Sequence, residues 1–178
     1  MKAAIISYSL TGNNFDLAKG LANILNAEHV CIQESKKRTT GTILFDVIFN
    51  RTPQINYEID KIEEYELVIF VGPIWMGQIA TPFRSFFKNI GGRINKYAFV
   101  SISGGADGPN PKIADELQTR LSKNPVSVID LHIADILTLG RKPTRKDTST
   151  YKLNEGDIRN LTTKIAATLN QEYKPSLI

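Results

Sequence analysis

Cysteine occurs once, at Cys31, and histidine twice, at His29 and His132. A lone cysteine closes no internal disulfide, and with two histidines so far apart in the chain it offers no ligand cluster for structural zinc. No apolar run approaches the ~20 residues of a membrane span, and the opening MKAAIISYS is too short and too strand-like for a secretory signal. The expectation is a cytoplasmic protein with no membrane span. Two phosphate motifs are also missing: there is no G-x-x-x-x-G-K-[ST] for a nucleotide-hydrolysing loop and no G-x-G-x-x-G for a dinucleotide fold. Glu34 stands where an acidic residue would meet a ribose, but it lacks the glycine motif that accompanies that role.

What is present fits one domain over residues 1–178, since 178 residues with 42% hydrophobic and 22% charged composition can bury a single substantial core. The net charge is +4. The basic residues bunch as Lys36-Lys37-Arg38 and as Arg141, Lys142, Arg145 and Lys146. Neither run alternates with aromatics as a single-strand nucleic-acid groove would, so both read as solvated loops and no nucleic-acid partner is expected. One or two of these charges would suffice for a phosphate-bearing ligand.

Short apolar runs at 3–7, 67–71 and 98–102, bounded by turn signals, predict strands covered on both faces. Weaker runs at 29–33 and 126–133 complete five, and Cys31 in the first of these reads as a small buried hydrophobe. Between them lie helical patterns. Phe15, Ala18, Leu21, Ala22 and Leu25 make one apolar stripe. Thr81-Pro82 reads as an N-cap followed by a first-position proline, with Gly91-Gly92 as the stop. Asn110-Pro111 repeats the start signal before Ile113, Leu117 and Leu121. Asn154 caps a last helix carrying Ile158, Leu161, Ile165 and Leu169. This alternation predicts an α/β fold, a parallel sheet with helices on both faces. Residues 35–57 and 134–153 are additions to that plan. Within the first, TILFDVIF predicts a short helix, apolar almost all round, that serves as a homodimer contact or a lid.

At the carboxyl end of the first strand stands SLTGNN, residues 9–14. Ser9, Thr11, Asn13 and Asn14 offer side-chain donors, Gly12 lets a ligand approach the backbone, and the next helix presents unpaired N–H groups at its positive end. The same residues also suit an ordinary capped turn.

SLTGNN resembles the phosphate loop of the flavodoxin-like family, [ST]-x-T-G-x-T, with Asn14 in place of the final threonine. VGPIWMGQIATPFRSFF at 71–87 is similar to that family's loop after the third strand, and SISGGADG at 101–108 to its loop after the fourth. The resemblance implies a doubly wound five-stranded parallel sheet of order 2-1-3-4-5. It implies a site for flavin mononucleotide (FMN), with Ser9, Leu10, Thr11, Gly12, Asn13 and Asn14 around the phosphate. Pro73, Ile74, Trp75, Met76 and Gly77 would lie on one side of the flavin ring, and Ser103, Gly104, Gly105 and Ala106 on the other. An indole supplies stacking area to a flat ring, and glycine-rich backbone supplies donors to its polar edge.

Two functions follow from the resemblance. One is an FMN-dependent oxidoreductase passing electrons from a nicotinamide cofactor, NAD(P)H, to a quinone or similar acceptor. The other is a non-catalytic electron carrier between redox partner proteins. The basic balance favours the first, because carriers of this family are acidic.

Overall fold

The structure, a computed structural model, describes residues 2–35 and 38–173, with the backbone alone at residue 40. Strand β1 (Ala3–Ser7) leads into helix α1 (Asn13–Leu25), β2 (Glu28–Cys31), the short β3 (Gln33–Glu34), α2 (Thr40–Ile48) and the short β4 (Ile55–Asn56). Then come β5 (Leu67–Val71), a two-strand hairpin of β6 (Ile74–Trp75) and β7 (Gln78–Ile79), α3 (Thr81–Ile90) and β8 (Lys96–Ser103). The chain continues through α4 (Ile113–Leu121), β9 (Ser127–His132), the short α5 (Arg145–Thr150) and α6 (Glu155–Glu172).

Five parallel strands lie in the order β2-β1-β5-β8-β9. Counted along the sheet strands alone this is 2-1-3-4-5, the doubly wound order in which ligands meet the carboxyl edge where the winding reverses. Side-chain alternation divides the core. Ala4, Ile6, Val68, Phe70, Tyr97 and Phe99 face α3 and α4, among the aromatics Phe83, Phe86 and Phe87. Ile5, Ile69, Val71, Ala98, Val100 and Ile102 face α1 and α6. Because both faces are covered, the central strands contain no polar alternation, which is why they read as unbroken apolar runs.

The structure shifts several local expectations. The buried stripe of α1 is Leu17, Ala18, Leu21 and Ala22, while Phe15 points outward, 38% exposed. Ala80, not Thr81, occupies the N-cap of α3; the Thr81 hydroxyl is buried without a partner among the described residues, and Pro82 falls in the first turn. Helix α4 begins at Ile113, two residues after Pro111, because the Asn110 amide is turned toward Asp130. The second strand ends at Cys31, and Gln33–Glu34 pairs instead with Ile55–Asn56. Cys31 is half-buried rather than buried, and burial pushes its thiol up, away from the reactive thiolate.

The 35–57 excursion does contain the expected helix, α2, held to the body by two arginines. Arg38 pairs with Glu34 and, at 2.6 Å, with Asp46. Its side chain is only 5% exposed, so it does not belong to a solvated loop as its basic run suggested; Lys36 and Lys37 lie outside the described residues. Arg84, itself buried, donates to Asn50 Oδ1 at 3.0 Å and Gln78 Oε1 at 2.5 Å. Outward, Phe45, Ile48 and Phe49 remain more than half exposed.

Candidate functional site

Three loops meet at the carboxyl edge of the sheet. The first runs from β1 into α1 and is closed on itself by the Gly12 N–H, which donates to Ser9 Oγ at 3.0 Å. Gly12 caps α1 at φ 101°, a value that favours glycine, and nothing but the ends of Lys152 and Asp16 would approach a Cβ there. The N–H groups of Asn13, Asn14 and Phe15 begin the helix without intrahelical acceptors, at its positive end.

The two asparagine side chains go elsewhere than the sequence suggested. Asn14 is buried; its Nδ2 donates to Ile102 O at 2.9 Å and its Oδ1 accepts from Ile102 N at 3.0 Å. Strand β5 has stopped at Val71 while β8 runs on to Ser103, so the Asn14 amide continues the ladder where a strand is missing. Asn13 makes the same kind of bridge, donating to Tyr151 O at 2.9 Å and accepting from Leu153 N at 3.1 Å. Each side chain commits its oxygen and one of its two amide protons to backbone, and the backbone N–H groups at the start of α1 stay open to an anion.

The second loop is a tight hairpin, β6–β7, turned by Met76 at φ 53° and Gly77 at φ 76°. Two positive φ values in a two-residue turn match the strand twist. Trp75 stands at its side, with Tyr8 edge-on at 5.7 Å and the Arg38 guanidinium 5.4 Å from the indole centre. Burial, then the hydrogen bond to Glu34, push the Tyr8 hydroxyl up, so it remains a donor.

The third loop, residues 103–108, turns at Gly105, φ 71°, whose missing Cβ would fall 2.2 Å from the Cβ of His132. Only glycine fits that approach. Behind it His132 Nε2 lies 3.1 Å from Asp130 Oδ2, near but outside hydrogen-bond alignment. Gly104 O accepts from Ala134 N at 3.1 Å.

These loops border two adjoining cavities. One, about 190 Å³, is lined by Leu10, Thr11, Asn13 and Asn14 together with Pro73, Trp75, Ile102 and Ile133. The other, about 400 Å³, is lined by Met76 and Gly77 facing Gly105 and Ala106. Ile74, Ser103, Gly104 and Thr148 belong to both. Of the residues named in advance, all but Ser9 and Gly12 line a cavity, and those two shape the first loop. None of the apolar residues of α2 lines either cavity.

A fourth wall escaped sequence reasoning. Helix α5 brings Thr148, nearly buried against Gly104, and Ser149 to the cavities, and Arg145 pairs with Asp107 at 2.9 Å across the mouth. Lys152, just beyond, donates to Thr11 O. The basic run at 141–146 marked this stretch as charged, but no spacing said that it folds back across the first loop.

No protein-family model and no curated protein sequence matches the chain. Solved structures do. A flavoprotein from Lactobacillus acidophilus NCFM, in complex with FMN, is 20% identical over 72% of this chain and 92% of its own, with TM-score 0.64. The apo form of the flavoprotein from the same organism is 18% identical over 76% and 95%, with TM-score 0.58. The Trp repressor binding protein from Bacillus subtilis is 14% identical over 95% and 98%, with TM-score 0.53. The fold is flavodoxin-like. At these identities the likeness speaks for the fold, and the site has to be read from the chain's own residues.

The residues fit FMN. A helix N-terminus with a glycine at positive φ offers backbone to a terminal phosphate, and the adjoining cavity is walled by Ile74, Trp75 and glycine-rich backbone, the chemistry a flat, mostly apolar ring requires. Asp107 and Arg145 are the titratable side chains among the lining residues, and they are paired with one another.

Proposed function

We propose that this flavodoxin-like chain binds FMN and transfers electrons from a reduced nicotinamide cofactor to a quinone or similar acceptor. The convergence of the SLTGNN loop, the Trp75 hairpin and the Gly104-Gly105 loop on adjoining cavities carries this reading. FMN binding by the Lactobacillus acidophilus flavoprotein, which shares the fold, supports it.

FMN, when bound, supplies a reversible acceptor for hydride and electrons. The protein's own part is placement. The first turn of α1 would hold the phosphate through backbone N–H groups. Trp75, fixed by Tyr8 and Arg38, and the loop of Ser103, Gly104, Gly105 and Ala106 would flank the ring and limit water around it. Hydride transfer from nicotinamide asks for close parallel apposition and no protein acid or base, which agrees with a lining whose two titratable groups neutralise each other.

Trp75 is the single tryptophan, so intrinsic fluorescence reports on the site directly. FMN should quench it and raise the melting temperature, while flavin adenine dinucleotide should do so less. Anaerobic mixing of the FMN-loaded protein with NADH or NADPH should then bleach the flavin rapidly. Failure of FMN to quench or stabilise would remove the binding reading. Binding without bleaching would leave the electron carrier.

A further inference from the structure

The first loop contains no lysine or arginine, yet the structure brings one cation onto it. Residues 151–153 cross the loop, and Asn13 grips them from both sides of Lys152, at Tyr151 O (2.9 Å) and Leu153 N (3.1 Å). Leu153 is buried in the core and Asn154 immediately caps α6 through a bond from Asp157 N at 3.0 Å. The backbone at Lys152 therefore has one placement. Its side chain turns to the loop, where the ammonium donates to Thr11 O and lies 3.8 Å from the point a Cβ on Gly12 would occupy. Among the described residues no carboxylate forms an ion pair with it. An ammonium has three protons, so two remain for a ligand.

We propose that Lys152 is the counter-charge for the flavin phosphate and sets the preference for a phosphate monoester over the unphosphorylated flavin. This rests on the FMN reading above. The neutral donors of residues 9–14 would bind a phosphate by dipoles; Lys152 adds a point charge beside them, held through the Asn13 clamp. A segment far away in sequence thereby completes a site that the loop alone leaves uncharged.

The test is titration of the full chain with FMN and with riboflavin, followed by Trp75 quenching, for wild type, Lys152→Gln and Lys152→Arg. Lys152→Gln should weaken FMN by about tenfold, the effect of a charge-assisted bond reduced by solvent screening, and leave riboflavin within about twofold. Lys152→Arg should restore most of the loss. Wild-type affinity for FMN should fall with added salt more steeply than that of Lys152→Gln. Because Lys152 is exposed, the ligand-free melting temperature should be the same for all three, which separates the effect from folding. Equal FMN affinity in wild type and Lys152→Gln, or equal losses for FMN and riboflavin, would overturn the assignment while leaving FMN binding intact. Wild-type protein quenched by neither flavin would bring down the FMN reading, and this inference with it.

Discussion

Asn14 shows what a motif discloses and what it hides. SLTGNN was legible as the loop at a strand end, because hydroxyls, a glycine and amides after an apolar run have few other uses. The target of the Asn14 amide was not legible, since it depends on β5 stopping at Val71 while β8 continues to Ser103, a difference in strand length that no local pattern encodes. Asn14→Ala would leave both the N–H and the C=O of Ile102 unpaired and buried. Each such group costs about 1–3 kcal/mol, so a loss of roughly 2–6 kcal/mol is expected in urea unfolding of the ligand-free chain. FMN and riboflavin should suffer equally. Unchanged stability with a loss confined to FMN would return Asn14 to the phosphate.

At the scale of elements, hydrophobic period identified strands and helices well because the sheet is covered on both faces, whereas starts and stops were set by long-range partners. Asn110 turned to Asp130 and delayed α4; Arg38, caught between Glu34 and Asp46, fixed the entry of α2. The edge strand β2 adds a titration of its own. His29 there lies 2.8 Å from Ser7 Oγ on β1, and burial, followed by the positive charge of Lys19, lowers its pKa below 6.5. The unfolded chain consequently takes up a proton at a higher pH than the native one. Stability is complete above 6.5 and declines as pH falls from there through the lowered native pKa. Urea midpoints across this range should drop with acidity in the wild type and less in His29→Gln. A slope identical in the two proteins would assign the dependence to other groups.

Across the whole molecule the first and last helices are in contact, and this joins the two halves of the phosphate site. Helix α1 starts at the SLTGNN loop; α6 starts directly after Lys152 and Leu153; they pack side by side over the same face of the sheet. The core and its layers were readable from the sequence. The meeting of residues 9–14 with 145–153 was not, because the segment that joins β9 to α6 carries only short-range turn and charge signals while its position is set by the distant Asn13. Gly20 lies at the helix crossing, where an added Cβ would come within 2.8 Å of Ile158 Cγ2 and 3.1 Å of Thr162 Cγ2. Both are branches on a β-carbon and have little freedom to swing aside. Alanine at this position would gain helix propensity of under about 1 kcal/mol and lose it again to crowding. Gly20→Val brings a smaller gain, and overpacking should cost about 1–3 kcal/mol in thermal or urea unfolding. Because the crossing can relieve itself only by parting α1 from α6, Lys152 and Leu153 should be drawn off the first loop. Gly20→Val should therefore weaken FMN more than riboflavin although Gly20 lines neither cavity. Equal weakening of both flavins would mean that the helix crossing and the phosphate site are independent.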